Sequence, residues 1–188
     1  DIWFPDVSAH LHAAGAELLI SPNGSPFERG KHTKRLDHAR ARARETGLPL
    51  IYVNQFGGQD ELVFDGGSFI IGSDGEVVVQ APVWTSHIAT TDWQNNDAGW
   101  TCMSQSLVPA PGDLAQIYQA AVLGLRDYVN KNRFPGVLLG LSGGIDSAIC
   151  AAMAVDALGA EQVHAVMLPS RYTSQSSLDD AAACATAL

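Results

Sequence analysis

The sequence predicts an α/β fold built in two parts, and three observations lead to this prediction. Residues 1–94 alternate helical and strand patterns and place two apolar runs around the turn Ser73-Asp74-Gly75, as in a β-hairpin. Residues 113–188 follow the order helix, strand, glycine-rich turn, helix, strand, helix, as at the start of a doubly wound parallel sheet. Residues 95–112 lack clear periodicity and end in a proline-rich stretch, so we interpret them as a linker.

The elements of the first part are placed by apolar periodicity and by turn residues. In chain order we expect a short helix, a buried strand, a long helix, a second strand and the two strands of the hairpin, over residues 5–14, 17–20, 28–45, 49–53, 66–72 and 76–80. Gly47 follows the long helix and is a good residue for its C-cap. The stretch after the first strand, residues 21–26, is rich in turn residues.

The elements of the second part begin at Asp113, which we predict as an N-cap with Gln116 completing a capping box. A strand, a helix and a second strand then follow over residues 137–141, 146–158 and 163–168. Ser176 and Asp179 are predicted to cap a last helix.

The overall composition is that of an ordinary globular protein. Hydrophobic residues make up 46% of the 188 residues and charged residues 16%. No apolar run approaches the roughly 18 residues that a spanning helix needs, and nothing at the start resembles a signal peptide. The three cysteines, Cys102, Cys150 and Cys184, are widely spaced and form no CxxC pair. We therefore expect a cytoplasmic protein with no membrane partner and no disulfide framework.

The net charge is −9, yet positive charge is concentrated in the predicted long helix. Residues 28–45 carry seven basic residues against three acidic ones. Nucleic-acid-binding proteins usually spread positive charge over a whole domain. We interpret this helix as a solvated basic face on an acidic protein and expect no nucleic-acid partner.

The strongest local motif is Ser142-Gly143-Gly144-Ile145-Asp146-Ser147, directly after an apolar strand. Glycines allow positive φ and a close approach of the backbone to an anion, and the following helix N-terminus favours negative charge. The two serine hydroxyls can donate to phosphate oxygens. A carboxylate repels phosphate, so the natural role of Asp146 is to hold Mg²⁺ that bridges phosphate oxygens.

This motif lacks the Gly-Lys-Ser/Thr of a Walker A loop. It resembles instead the SGGxDS signature of the PP-loop ATP pyrophosphatases, which have an adenine nucleotide alpha hydrolase-like fold. Members cleave ATP between the α- and β-phosphates, adenylate an acceptor oxygen and let a nitrogen or sulfur nucleophile displace AMP. The resemblance implies ATP and Mg²⁺ as cofactors and Asp146 as the metal ligand. The ATP-binding residues that it implies are Gly140, Leu141, Ser142, Gly143, Gly144, Ile145, Asp146, Ser147 and Arg171.

A second segment, Met167-Leu168-Pro169-Ser170-Arg171-Tyr172-Thr173-Ser174, is similar to the (M/L)PSRYTS segment of glutamine-dependent NAD synthetases. Arg171 follows a parallel strand, where it could meet an anionic group at the nucleotide crevice. Gln175 stands where that family usually has an acidic residue, which weakens any role assigned to this one side chain.

The first part resembles the second half of a nitrilase, or carbon–nitrogen hydrolase, domain, which is an α-β-β-α sandwich. Three pieces carry this resemblance, and they lie at residues 1–6, 21–27 and 54–68. In the glutaminase branch of the family, a Ser and a Lys or Arg six residues later bind glutamine. These positions here are Ser25 and Lys31, and an ammonium paired with the substrate carboxylate is physically sensible.

Nitrilase chemistry requires a Cys nucleophile, a Glu base and a Lys that stabilises the oxyanion. The resemblance implies that all three lie upstream of this chain, so we assign no catalytic residue here. Cys102 falls in the predicted linker and Cys150 in the helix behind the phosphate loop, and neither is a credible substitute. We expect the chain by itself to have no glutaminase activity.

Together the two resemblances imply a ligase that adenylates deamido-NAD⁺ with ATP and amidates it with ammonia from glutamine. The family also implies a homo-oligomer, with Trp93 or Trp100 as candidate interface residues. One alternative is another PP-loop amidotransferase, such as a GMP synthetase, although its glutaminase would not be a nitrilase. A sulfur-transfer enzyme acting on tRNA would prefer a basic surface and more cysteines. A non-catalytic nucleotide-binding module is the alternative from a different class.

Overall fold

The computed structural model describes residues 1–97 and 99–188. Its five helices are α1 (Pro5–Ala13), α2 (Lys31–Thr46), α3 (Asp113–Lys131), α4 (Ile145–Leu158) and α5 (Gln175–Ala187). Its strands are β1 (Leu19–Asn23), β2 (Leu50–Asn54), β3 (Phe56–Gln59), β4 (Leu62–Asp65), β5 (Phe69–Ile71), β6 (Val77–Gln80), β7 (Trp93–Asn96), β8 (Gly99–Cys102), β9 (Ser106–Leu107), β10 (Val137–Gly140) and β11 (Val163–Val166). Within the described residues, no helix has both the length and the apolar character needed to cross a bilayer.

The chain divides into two compact units. Unit 1 comprises Asp1–Gly57 and Leu62–Ile117, and unit 2 comprises Gly58–Glu61 and Tyr118–Leu188. The mixed α/β fold class is therefore confirmed, with a strand-rich first part and a second part that begins as a parallel sheet.

Unit 1 is organised around a five-stranded sheet of order β1-β2-β5-β6-β9. Strands β1 and β2 are parallel and joined through α2, as a crossover connection requires. Strands β5 and β6 form the predicted antiparallel hairpin, and β9 returns parallel to β6. The core between α2 and this sheet buries eight hydrophobic residues: Ile2, Leu19, Ala39, Ala43, Leu50, Tyr52, Phe69 and Ile71. The rings of Tyr52 and Phe69 stack at 4.7 Å between centroids.

The first strand differs from the prediction. It begins at Leu19 and runs to Asn23, so it continues into the stretch expected to be a turn. The physical reason is that β2 lies alongside in parallel register, with Leu19 opposite Leu50 and Asn23 opposite Asn54. Pairing therefore overrides the turn propensity of Ser21-Pro22-Asn23. The strand is also buried on one face only, because Ile20 is 62% exposed.

The structure also corrects the prediction that helix α2 presents a solvated basic face. Lys34 and Arg44 are exposed, as a solvated basic face requires, but Arg35 and Arg42 are only 1% and 6% exposed. The two arginines are seven residues apart, so they lie on the same side of the helix. Each is buried because a carboxylate partners it, Asp65 for Arg35 and Glu45 for Arg42.

Two hairpins were not predicted from the sequence. Strands β3 and β4 pair around Asp60, whose φ of 51° lies in the left-handed region, where glycine, Asn and Asp are favoured. Strands β7 and β8 form the other hairpin, and β9 follows. Residues 95–112, expected to be an irregular linker, thus contain β8, β9 and the end of β7. The glycine pair in β3 and the polar residues of β7 hide the usual strand signal.

In unit 2, β10 and β11 pair in parallel, with Val137 opposite Val163 and Gly140 opposite Val166. This confirms the parallel start of the second part. Helices α4 and α5 enclose a small core of Leu141, Ala151 and Ala181. Both strands are shorter than predicted.

The helix caps match the sequence prediction in one case of three. Gly47 ends α2 with φ 68° and its N–H donates to the Ala43 carbonyl. The capping box of α3 is not formed, because Asp113 pairs with Arg29 and the Gln116 amide donates to the Pro111 carbonyl. Helix α5 is capped two residues earlier than expected, at Ser174.

The side-chain oxygen of Ser174 accepts a hydrogen bond from the N–H of Ser177 at 3.2 Å. Ser176, the predicted cap, is instead the second residue of α5. Its hydroxyl lies 3.1 Å from that of Ser174.

Candidate functional site

The glycine-rich motif forms a closed turn between β10 and α4. Ser147 Oγ accepts from the N–H of Ser142 at 3.2 Å and donates to the carbonyl of Gly144 at 2.9 Å. The two serine hydroxyl oxygens lie 3.1 Å apart. These three contacts hold the turn in one shape, so its predicted serines are brought together.

Gly143 is required at the centre of this turn. Its φ is 77°, and a Cβ placed there would lie 2.3 Å from the carbonyl oxygen of Ser177 in α5. Gly144 differs, since its φ is −86° and an added Cβ would meet only Ser142 Oγ at 3.5 Å. The first glycine thus allows two backbone segments to touch, whereas the second leaves the N-terminus of α4 open.

A cavity of about 250 Å³ lies beside the turn. Three predicted residues, Gly140, Leu141 and Ser142, line it. The rest of the lining comes from the end of β11 and the start of α5: Val166, Met167, Leu168, Pro169, Thr173, Ser177, Leu178 and Ala181. The residues of α5 were not predicted from the sequence, and the only sequence signal for them was their position just after the PSRYTS segment.

The two charged residues predicted for this site occupy different surroundings. Asp146 is exposed in the first turn of α4, beside the loop. Arg171 lies over the ring of Tyr172, at 4.8 Å from its centroid, and is not among the residues that line the cavity. Within the described part of the chain, no group of three or more His, Cys, Asp or Glu side chains could hold a metal by itself. A lone carboxylate fits Mg²⁺, which typically takes one or two protein carboxylates together with substrate phosphates.

In unit 1, Ser25 lies on the connection from β1 to α2 and is 9% exposed. Its N–H donates to Asn54 Oδ1 at 2.9 Å. Its carbonyl accepts from Arg35 Nη2 at 2.8 Å and from Asn54 Nδ2 at 3.1 Å. Its side-chain Oγ accepts from Arg35 Nε at 3.1 Å. All three polar heavy atoms of Ser25 are therefore held by buried side chains.

The guanidinium that holds Ser25 is neutralised by Asp65. Arg35 Nη1 donates to both carboxylate oxygens of Asp65 at 2.9 Å, and the two side chains are 1% and 2% exposed. Asn54 Nδ2 also donates to Asp65 Oδ1 and to the Gly66 carbonyl. We call Ser25, Arg35, Asn54 and Asp65 the Ser25 network.

Sequence reasoning did not assign Arg35, Asn54 or Asp65 to the site. The available signal was that Asn54 and Asp65 fall in the stretch that resembles the late nitrilase block.

Lys31 begins α2 and has a different partner. Its Nζ lies 2.5 Å from Glu28 Oε1, and its side chain is 14% exposed. The hydrogen bond and charge of Lys31 hold the pKa of Glu28 below its ordinary value. Ser25 and Lys31 thus stand on one short connection, and each is fixed by separate neighbours.

Comparison with protein families matches both parts of the chain in order. Residues 1–101 match the carbon–nitrogen hydrolase family, and residues 117–188 match the NAD synthase family. The chain belongs to the carbon–nitrogen hydrolase family. Its carbon–nitrogen hydrolase part and its NAD synthase part correspond to the two resemblances recognised in the sequence.

Relatives that combine both parts are found in several bacteria. The chain is 55% identical over 182 residues to the glutamine-dependent NAD(+) synthetase of Rhodobacter capsulatus, covering 97% of the chain and 33% of the relative. It is 42% identical over 181 residues to that of Acinetobacter baylyi, covering 96% and 33%. The chain therefore spans about a third of the length of these relatives. The resemblance to glutamine-dependent NAD synthetases is confirmed.

Solved structures give the same result. The glutamine-dependent NAD⁺ synthetase of Acinetobacter baumannii in complex with ADP matches with a TM-score of 0.89 and 43% identity, over 97% of this chain and 34% of that one. The enzyme from Cytophaga hutchinsonii matches with a TM-score of 0.75 at 19% identity, over 94% and 35%. The second match supports the fold alone.

Proposed function

We propose that the full-length protein containing this chain synthesises NAD⁺ from deamido-NAD⁺, using ATP and ammonia released from glutamine. The observation that carries the proposal is the closed Ser142–Ser147 turn beside an apolar cavity, in a segment that matches the NAD synthase family. A carbon–nitrogen hydrolase part on the same chain supports this reaction over that of a GMP synthetase.

The turn would bind the phosphates of ATP, and the cavity would bind its adenosine. Ser142 and Ser147, with the free N–H groups at the start of α4, would bind phosphate oxygens. The cavity, whose lining includes Leu141, Met167 and Leu168, offers an apolar surface to the adenosine. Asp146 would hold Mg²⁺, which neutralises charge that builds up between the α- and β-phosphates. Arg171 is the remaining candidate for an anionic group, because its exposed position leaves it free to reorient.

The carbon–nitrogen hydrolase part would bind glutamine. Ser25 and Lys31 are the candidate contacts, and an ammonium is suited to the α-carboxylate of the substrate. Ammonia would then displace AMP from adenylated deamido-NAD⁺. We further expect a homo-oligomer that resides in the cytoplasm.

The test is NAD⁺ formation by the full-length protein with glutamine or with ammonium as the nitrogen source. Because Asp146 serves the ATP step, we expect Asp146→Ala to lower both activities by roughly 100-fold or more. Glutamine hydrolysis should persist in this variant. Ser25→Ala, the matched variant of the other site, should impair only the glutamine-dependent reaction. If ATP is consumed while XMP or a tRNA is the acceptor, the synthetase proposal is wrong.

A further inference from the structure

The Ser25 network goes beyond what the glutamine-binding proposal requires. A serine that merely contacts a substrate needs no buried ion pair behind it. Here Arg35, the largest fully buried side chain of the described residues, is directed at Ser25 by Asp65. Burying such a pair removes both ions from water at a cost in desolvation, so its presence calls for a reason.

The arrangement has a specific consequence for the Ser25 hydroxyl. Ser25 Oγ accepts from Arg35 Nε at 3.1 Å, so its oxygen is already engaged by a cationic donor. The hydroxyl hydrogen is left to donate elsewhere, because a hydroxyl has one hydrogen and two lone pairs. Tyr52 Oη lies beside this hydroxyl: burial raises the pKa of Tyr52, and a side-chain interaction with Ser25 opposes that rise. A substrate carboxylate is a stronger acceptor than a neutral tyrosine hydroxyl, so the serine can donate its hydrogen to an incoming carboxylate.

The charge of Arg35 is not available to a substrate. Asp65 meets it with two hydrogen bonds at 2.9 Å, and the Ser25 and Pro26 carbonyls take both contacts of Nη2. A substrate carboxylate would thus meet the hydroxyl of Ser25 and the ammonium of Lys31 rather than the guanidinium. Asn54 holds the Ser25 backbone from the other side, through its N–H and its carbonyl.

We infer that Arg35, held by Asp65, is a positioning residue for glutamine: it fixes Ser25 so that the hydroxyl hydrogen points to the substrate carboxylate. The inference rests on the proposed glutaminase function. Arg35 acts through Ser25 and touches no substrate atom. A lysine cannot replace it, because an ammonium lacks the planar fork that contacts Asp65 and Ser25 together.

The experiment measures glutamine hydrolysis by the full-length protein, with KM and kcat determined separately. We expect Arg35→Lys to raise the KM for glutamine by about tenfold, the effect of losing one hydrogen bond to a charged group. Its kcat should change less, and ammonium-dependent NAD⁺ formation should match the wild type. The control is Arg44→Lys, which removes a guanidinium contact from the same helix to the Asp74 carbonyl, away from Ser25.

A double variant separates positioning from general destabilisation. If Arg35 acts through Ser25, then Ser25→Ala combined with Arg35→Lys should raise the KM no more than Ser25→Ala alone. If the double variant raises the KM for glutamine by the product of the two single effects, the inference is wrong. A KM for Arg35→Lys within twofold of the wild type would also overturn it. A wild-type protein that hydrolyses no glutamine would instead overturn the proposed function, and the inference with it.

A second variant covers the case in which Arg35→Lys does not fold. Asn54→Ala removes the two amide contacts to the Ser25 backbone, together with its contacts to Asp65 Oδ1 and the Gly66 carbonyl, and it leaves both Arg35–Asp65 hydrogen bonds in place. We expect the KM for glutamine to rise here too, with ammonium-dependent synthesis preserved. An unchanged KM in this folded variant would overturn the inference.

Discussion

Unit 1 and unit 2 differ in the residues that stabilise the interior of each. Among the described residues of unit 1, twelve hydrophobic residues are buried, eight of them in one cluster, together with an arginine–aspartate pair that is almost without solvent contact. Among the described residues of unit 2, eight hydrophobic residues are buried and four of them are alanines, and its core cluster has only three members. Two backbone segments of unit 2 approach closely at Gly143, where an added Cβ would lie 2.3 Å from the Ser177 carbonyl oxygen.

This difference has a visible effect on the surfaces of the two units. In unit 2, Leu138 on β10, Ile145 at the start of α4 and Leu168 after β11 are 74%, 78% and 85% exposed. Large apolar side chains so exposed are sites where another surface could pack. In unit 1 the central-strand residues Tyr52 and Phe69 are 1% exposed, although Ile20 on the edge strand β1 is 62% exposed. The buried charge network thus lies in the unit with the larger core, and the glycine-rich turn at residues 142–147 lies in the unit whose buried residues are fewer and smaller.

The largest effect is expected when the counter-charge of Arg35 in unit 1 is removed. Asp65→Ala leaves the buried guanidinium of Arg35 unpaired, and we expect a loss of about 3–5 kcal/mol in the free energy of unfolding. Urea denaturation measures this loss, and hydrogen exchange should locate it in β2 rather than in β10. The control is Glu76→Ala, which removes the exposed partner of Arg44 and should cost about 0–1 kcal/mol. Equal losses in the two variants would show that the buried pair is not special.

The next effect concerns the backbone of unit 2. Gly143→Ala introduces a Cβ at positive φ, 2.3 Å from the Ser177 carbonyl oxygen, so the turn or α5 must move. We expect ATP binding to weaken by at least tenfold, in line with about 1–3 kcal/mol of backbone strain. Calorimetric titration with ATP measures the affinity. Gly144→Ala, at ordinary φ, should have a milder effect, and the opposite ranking would contradict the geometry described for the turn.

The smallest effect is a pH dependence that belongs to unit 1. Burial, followed by the charge of Arg35, lowers the pKa of His32, while Asp65 and a hydrogen bond with Gln80 oppose this shift. The unfolded chain therefore binds the His32 proton first as the pH falls. Stability should decrease from about pH 6.5, the ordinary value, down to the lower pKa of the folded state.

His32→Gln should remove this contribution. Urea midpoints at pH 7.5 and 5.5 give the comparison, because other titrating groups are common to both proteins. A pH dependence identical in variant and wild type would show that His32 does not titrate in this way.

Much of the site could be predicted from local sequence. The turn at residues 142–147 was predicted because its six residues are contiguous and its backbone conformation depends on the positions of glycines. The Ser25 network could not be found in this way, since Ser25 lies on a connection and its three partners come from α2, β2 and β4. Taken alone, a cluster of basic residues at helical spacing predicts a helix face that is exposed to solvent. Only the ion pair with Asp65, the last residue of β4, explains why Arg35 is buried.

The fold shows the same division between local and long-range information. The hairpin at Ser73-Asp74-Gly75 and the C-cap at Gly47 are encoded by neighbours in sequence, and both were predicted. The extension of β1 to Asn23 depends on β2, about thirty residues away along the printed sequence, and β9 depends on its pairing with β6. Where a strand ends because of its pairing with a distant strand, the local sequence does not predict that end.

The two inward arginines of α2 also change how the charge of this protein behaves in solution. A titration of the whole sequence counts seven cations in residues 28–45, but a chromatographic resin or a polyanion meets only those at the surface. Arg35 is electrically cancelled by Asp65 and Arg42 is shielded by Glu45. The helix therefore presents a weaker positive surface than its composition suggests, and cation-exchange retention should be weaker than the residue count implies.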